Sequence, residues 1–267
     1  MKNVRWMPLG IVILWATLGC SSSDGERAPV PKTFVLVHGS WMGAWCWDEV
    51  AAGLRAKGVT VVTVELPAHG SDTTPLPGAT LDAYVAKVSD AVDATEGPVI
   101  LVGHSMAGMV VTQVAENKTD KIAKLVYVAA YLPKDGEALL DLAMTDTDSH
   151  SGMNVTIDMA DGLAKIPEDD LKDDFLADGS PAELATLQAH YRDEPLAPFV
   201  TPVHTTVANW GRLPKVYVYT KDDHAVSYTL QQRMTAGVTF VSTATLDTSH
   251  APFLSQPGLV TSTLLAL

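Results

Sequence analysis

Val99-Ile100-Leu101-Val102-Gly103-His104-Ser105-Met106-Ala107-Gly108-Met109-Val110-Val111 decides how this chain reads. A continuous apolar run ends at Gly103-His104, and beyond Ser105 small residues lead into a further apolar stretch. A strand that turns sharply into a helix at a serine puts that hydroxyl on a tight, exposed corner. Small flanking residues let helix and strand approach closely around it. The usual pattern Gly-x-Ser-x-Gly reads Gly103-His104-Ser105-Met106-Ala107 here, with the glycine displaced to Gly108. A single methyl group at position 107 is expected to be tolerated.

A serine hydroxyl attacks only when a neighbouring base takes its proton and an acid orients that base. Both partners are present. Lys215-Val216-Tyr217-Val218-Tyr219-Thr220 reads as a buried strand running into Lys221-Asp222-Asp223-His224, which places a carboxylate at a strand's C-terminal end. Leu246-Asp247-Thr248-Ser249-His250-Ala251-Pro252-Phe253 follows another β-rich segment and places His250 in a loop. The chain order Ser105, Asp223, His250 differs from the orders of chymotrypsin-like and subtilisin-like proteases and is that of α/β-hydrolases.

Phe34-Val35-Leu36-Val37-His38-Gly39-Ser40-Trp41-Met42-Gly43-Ala44-Trp45-Cys46-Trp47 resembles the first strand and oxyanion loop of one α/β-hydrolase group. That group contains plant methylesterases and hydroxynitrile lyases, with their bacterial carboxylesterase relatives. The resemblance covers nearly the whole chain after residue 32 and includes Leu66-Pro67-Ala68-His69-Gly70 and Tyr131-Leu132-Pro133-Lys134-Asp135-Gly136. The family's spacing from the Val216 strand to Gln231-Gln232-Arg233-Met234 selects Asp223 rather than Asp222 as the acid. The resemblance implies an ester substrate and the backbone N–H groups of Ser40 and Met106 as oxyanion donors; no cofactor is expected, and no Cys and His spacing suggests a metal site. With an imidazole base, activity is expected to fall below about pH 6 to 7.

Six β-rich segments, at about 33 to 38, 59 to 65, 98 to 103, 122 to 129, 215 to 220 and 238 to 246, alternate with helical candidates. The helices are expected at about 46 to 57, 81 to 95, 106 to 117, 228 to 236 and 256 to 266. Alternation of this kind gives a mostly parallel central sheet flanked by helices, the α/β class, and near-continuous Val, Ile and Leu strands fit a sheet covered on both faces. The core then comprises 33–132 and 211–267. Residues 133–210 break the pattern, with helical pieces at Glu137 to Met144 and Pro181 to Tyr191. They read as a helical lid, which the resemblance places after the sixth strand.

That lid holds 16 of the 31 acidic residues and 4 of the 18 basic ones, so it carries nearly all of the net charge of −13. An acidic lid reads either as a solvated face or as a rim that disfavours anionic substrates. Nucleic acid is not an expected partner, because phosphate binding needs clustered Lys and Arg.

At the N-terminus, Lys2 and Arg5 precede an apolar run from Leu9 to Leu18 and then Gly19-Cys20-Ser21-Ser22-Ser23. The run is too short to span a bilayer and suits a signal peptide. A cysteine after a small residue and before a serine-rich segment resembles a bacterial lipoprotein signal. Residues 1–19 are therefore expected to be cleaved, Cys20 to carry lipid and 20–32 to form a flexible tether. The product would be an exported lipoprotein touching the membrane only through that anchor, with soluble secretion as the alternative. Cys46, the second of two cysteines, reads as a small packing residue.

Among the other histidines, His38 is expected to shape the oxyanion loop and His104 to point away from substrate. His69, His150, His190 and His204 read as surface residues. Trp41 and Trp210 are candidates for the substrate pocket, as are Trp45 and Trp47, although aromatic core packing accounts for all four equally well. Two rival functions are a hydroxynitrile lyase and a non-catalytic lipoprotein on a hydrolase scaffold. The lyases carry a threonine where Gly39 stands and a lysine where Ala251 stands, and both groups are missing here.

Overall fold

The computed structural model describes residues 1, 2 and 33–267. Cys20, the tether and all but the first two residues of the expected signal peptide lie outside the described residues.

Six strands form one parallel sheet: β1 (Thr33–Val37), β2 (Thr60–Val64), β3 (Val99–His104), β4 (Ile122–Val128), β8 (Lys215–Thr220) and β9 (Ser242–Leu246). Their order across the sheet is β2-β1-β3-β4-β8-β9, and every pairing is parallel. Side chains alternate across a strand, so β1 sends Val35 and Val37 into one buried cluster and Phe34 and Leu36 into the other. The first face is covered by α2 (Leu81–Asp93), α3 (Ala107–Asn117) and α9 (Tyr228–Thr235). The second is covered by α1 (Asp48–Arg55), α10 (Pro252–Ser255) and α11 (Pro257–Leu265).

Local chemistry sets the helix starts: Thr80 caps α2 by accepting from Ala83 N–H at 3.2 Å, and Ser227 caps α9 by accepting from Leu230 N–H at 3.1 Å. The expected core helices agree to within about two residues, the usual uncertainty at frayed ends. Strand β9 starts later than the expected 238, because Gly237 turns the chain at φ +82° and the ladder begins only at Ser242.

The chain runs from β1 to β2 on one side of the sheet and then crosses to β3 on the other side of β1. Reversal of direction opens a crevice at the C-terminal ends of β1 and β3, the place where open α/β sheets bind ligands. The Gly39-Ser40 loop and Ser105 stand there.

The insertion between β4 and β8 follows the fourth strand of this sheet, not the sixth. It is also not wholly helical. Besides α4 (Leu139–Ala143), α5 (His150–Asn154), α6 (Leu171–Leu176), α7 (Pro181–His190) and α8 (Ala197–Val200), it contains β5 (Thr156–Asp158), β6 (Leu163–Lys165) and β7 (Glu194–Pro195). These three form a small antiparallel sheet. The hairpin turns at Asp161-Gly162, with Gly162 at φ +68° and the Asp158 carboxylate accepting from Ala160 and Asp161 N–H.

The insertion is packed into the core rather than laid over it. Leu171, Phe175, Leu176 and Leu187 join the cluster on one face, and Leu139, Leu196, Phe199 and Val203 join the other. At roughly 1.5–3 kcal/mol for each large side chain fully removed from water, these eight tie the insertion firmly to the sheet. Among the described residues no helix is long and apolar enough to cross a membrane.

Candidate active site

Ser105 is buried and sits at φ +52°, a left-handed conformation that costs a residue with a side chain on the order of 1–3 kcal/mol. Its surroundings impose it. Ser105 N–H donates to Val128 O at 3.3 Å, and Ser105 O accepts from Gly108 N–H at 3.0 Å and Tyr131 N–H at 3.1 Å. The displaced glycine is explained by the same packing: a Cβ at Gly108 would lie 1.9 Å from Tyr131 O. The Ala107 methyl is accommodated in the core with no exposure.

His250 and Asp223 form a buried pair, with His250 Nδ1 at 3.0 and 2.9 Å from the two carboxylate oxygens. The carboxylate is held by a dense donor set. Oδ1 accepts from Ala225 N–H (2.9 Å) and Val226 N–H (2.8 Å), and Oδ2 from the Thr220 hydroxyl (2.7 Å) and the Gln231 amide (3.2 Å). Gln231 thus explains why the spacing to α9 selects Asp223, while Asp222 is exposed. Among the described residues the His250 ring hydrogen-bonds only to Asp223, through Nδ1, and its Nε2 makes no hydrogen bond to Ser105 in this structure.

His104 sets the position of that ring. Its Nε2 lies 2.8 Å from His250 O, and the two ring centroids are 4.5 Å apart. Burial, with the nearby His250 adding to it, pushes His104 well below the ordinary histidine value, so it is a neutral donor at working pH. It is not among the residues that line the cavity at Ser105.

Two peptide planes face the crevice. His38 Nδ1 is 2.8 Å from Gly39 O, and its Nε2 accepts from Leu66 N–H at 3.1 Å. Burial, reinforced by the charge of His69, lowers His38 to about 3, so the ring stays neutral and Nδ1–H is the donor. A trans peptide points its N–H opposite to its C=O, so anchoring Gly39 O turns Ser40 N–H the other way. Anchoring Ser105 O, as above, does the same to Met106 N–H. Neither N–H has a hydrogen-bond partner among the described residues. The loop is also pressed onto the elbow: a Cβ at Gly39 would lie 2.7 Å from both Ser105 Cβ and His104 Nδ1.

Ser40 and Ser105 open into a largely apolar cavity. Trp41 and Tyr131 line it from the core, and Leu139, Val155, Phe175 and Phe199 from the insertion. Among the described residues no lysine or arginine lines it. Trp41 is the one expected pocket tryptophan that lies here.

A family model described as "Alpha/beta hydrolase family" matches residues 34–263. The chain belongs to the alpha/beta hydrolase family. Putative methylesterase 14, chloroplastic, from Arabidopsis thaliana is 29% identical over 276 residues, covering 94% of this chain and 78% of the relative. Putative methylesterase 13, chloroplastic, from the same plant is 33% identical over 239 residues, covering 85% of this chain and 54% of the relative. The chain thus spans little more than half the length of some of the relatives it matches. An extracellular alpha/beta-hydrolase from a Paenibacillus species is similar in structure, with a TM-score of 0.72 at 26% identity and coverage of 88% of this chain and 98% of that one. Its similarity to named esterases makes this alpha/beta hydrolase an enzyme of the carboxylesterase type.

Two expectations for this hydrolase are corrected by the structure. Trp210 does not reach the cavity. It precedes β8 and so lies at the N-terminal end of the parallel sheet, where its Nε1–H donates to Tyr127 OH at 2.9 Å and Lys215 Nζ sits 4.2 Å from its ring centroid. Trp45 and Trp47 lie outside it too, stacked on His190 and packed on Phe253. His69 is not a surface residue but has no exposure, and its Nε2 lies 2.9 Å from Glu194 Oε2. Burial opposes charge on His69, but the charge and hydrogen bond of Glu194 outweigh it and raise the ring above the ordinary 6.5.

Glu194 is the residue that sequence reasoning missed. Fully buried on β7, its Oε2 also accepts from Trp41 N–H at 2.8 Å. Trp41 stands at φ +60°, its indole N–H donates to Ala164 O at 3.0 Å, and its O accepts from Arg192 N–H. The insertion therefore grips the residue next to Ser40 at three points. A glutamate among the many acidic residues of the insertion carries no sequence signal that separates it from its neighbours. Cys46 is a buried packing residue, its thiol pushed well above the usual range by burial, with Glu65 and Asp48 adding to the shift.

Proposed function

We propose that this hydrolase cleaves small to medium neutral carboxylic esters through an acyl-enzyme on Ser105. One observation carries the reading: the strained serine opens into an apolar cavity beside the buried His250–Asp223 pair. In the proposed reaction His250 Nε2 takes the Ser105 proton as Oγ attacks the ester carbonyl. Asp223 keeps the ring in the tautomer with Nδ1–H facing it and stabilises the imidazolium. Ser40 N–H and Met106 N–H receive the oxyanion, in a site where one such donor is worth about 100- to 1000-fold in rate. The imidazolium then protonates the departing alcohol, and water, deprotonated by the same ring, releases the acid.

Neutral esters are favoured because the cavity offers no cation to pair with a substrate carboxylate, and the acidic insertion repels anions approaching it. Methyl esters belong in the test set, since the relatives above are named methylesterases. A fluorophosphonate probe should label the wild-type chain, and a panel of p-nitrophenyl esters beside methyl esters and lactones should give turnover that falls on acidification as the base takes a proton. Preference for anionic substrates, or a rate flat down to pH 4, would overturn the reading.

Lyase chemistry is disfavoured by charge: the buried Ala251 supplies no cation at the position after His250. Gly39→Thr would force a Cβ against the elbow. We expect it to lower ester kcat/KM by more than about tenfold, as loss of oxyanion alignment does, without cyanide release from mandelonitrile.

Export and lipid attachment at Cys20 are proposed on the sequence alone. Radiolabelled palmitate incorporation that disappears in Cys20→Ser would support them, and a labelled Cys20→Ser chain would not.

A further inference from the structure

We propose that His150, Asp173 and His224 bind a divalent transition-metal ion that links the insertion to the loop carrying Asp223. The three residues come from α5, α6 and the segment after β8. His150 Nδ1 is 2.7 Å from Asp173 Oδ2, and His224 Nδ1 is 3.1 Å from Asp173 Oδ1. All three potential ligand atoms lie within 4.8 Å of one another. A metal ion with bonds of about 2.0–2.2 Å holds donors up to roughly 4.4 Å apart, so a small ring rotation completes the set.

The backbone already fixes this arrangement. His150 N–H donates to His224 O at 2.7 Å, and the two imidazole centroids are 4.2 Å apart. All three side chains are partly exposed, which leaves an entry path and room for water ligands.

Next to Asp173 on α6, the buried Asp174 has one carboxylate oxygen, Oδ2, without a hydrogen-bond partner among the described residues. Two imidazoles and one carboxylate suit Zn²⁺, Cu²⁺, Ni²⁺ or Co²⁺ rather than Mg²⁺ or Ca²⁺. Each ring coordinates through Nδ1 without its proton and keeps the proton on Nε2, so binding weakens in acid.

The site has a structural consequence for the cavity. Ser149, Ser151 and Gly152, on either side of His150, line it, and His224 directly follows Asp223. An ion joining them fixes one cavity wall to the acid loop.

The test uses the untagged full-length chain, with Zn²⁺ measured by competition against a chromophoric chelator and Co²⁺ by its visible absorption. One equivalent should bind, and Zn²⁺ should raise the melting temperature. His150→Ala and Asp173→Asn should each weaken Zn²⁺ binding by about tenfold or more, since even losses around a metal's ligands cost that much. His190→Ala and His204→Ala, at exposed histidines elsewhere on the insertion, should bind as wild type does. Circular dichroism without metal checks that each variant folds. Substoichiometric binding to wild type, or unchanged affinity in the His150→Ala/Asp173→Asn double variant, overturns the proposal. Binding is read without substrate, so the outcome is separate from the esterase reading.

Discussion

Ser105→Ala is expected to lower kcat for p-nitrophenyl esters by about ten-thousand- to million-fold, the range seen when a serine nucleophile is removed from an intact site. The size of the loss follows from the geometry. Without Oγ the remaining groups still align a carbonyl against Ser40 and Met106 N–H, so a residual rate above water persists, but no acyl-enzyme forms. Fluorophosphonate labelling should vanish in the same variant. The variant should keep its fold, because Ser105 N–H and O, which hold the elbow, are main-chain groups retained by alanine. His250→Ala should cost a similar factor, and the double variant little more, since nucleophile and base act as one unit. A Ser105→Ala chain within tenfold of wild type would place the chemistry elsewhere.

Glu194→Ala should be the most damaging change away from the reacting groups. It leaves Trp41 N–H and the His69 ring without their buried acceptor, and breaking a buried charge pair by removing one partner costs about 3–5 kcal/mol. The melting temperature should drop by many degrees. Turnover should fall with it as Trp41, freed at one of its three anchors, lets Ser40 N–H drift from the oxyanion position.

Glu194→Gln separates the two effects. Its amide oxygen can still accept from Trp41 N–H, so kcat should recover much of its value, whereas the charge facing His69 is gone. His69 is raised above 6.5 in the folded protein, so its contribution to stability is fully present below about 6.5 and is lost as pH rises through the raised value. The stability gap between wild type and Glu194→Gln should therefore be widest in mild acid and narrow toward alkaline pH, by urea denaturation at several pH values. A gap independent of pH would show that Glu194 does not hold a charged His69.

Most of the fold was legible because its signals are local. Buried parallel strands read as Val, Ile and Leu runs, and the elbow and acid each sit at the end of such a run. In a parallel sheet those ends share one edge, so Ser105 after β3, Asp223 after β8 and His250 after β9 all fall on the same edge of the sheet. The insertion was harder to read. Its short strands of two or three residues have no periodicity to detect, and counting strands by resemblance put it after the sixth when it follows the fourth. Trp210 failed as a pocket residue for a related reason: it precedes β8 and so lies at the edge of the parallel sheet opposite the crevice.

By itself the sequence determined the α/β class and the sharp turn at Ser105, because each depends on neighbours within a few residues. Tertiary structure alone decided what surrounds them. Glu194 meets Trp41 and His69 across more than a hundred residues, and His150, Asp173 and His224 converge from three separate segments. Electrostatic and packing contacts of that reach depend on how the insertion folds back against the sheet, and no spacing along the chain encodes that distance.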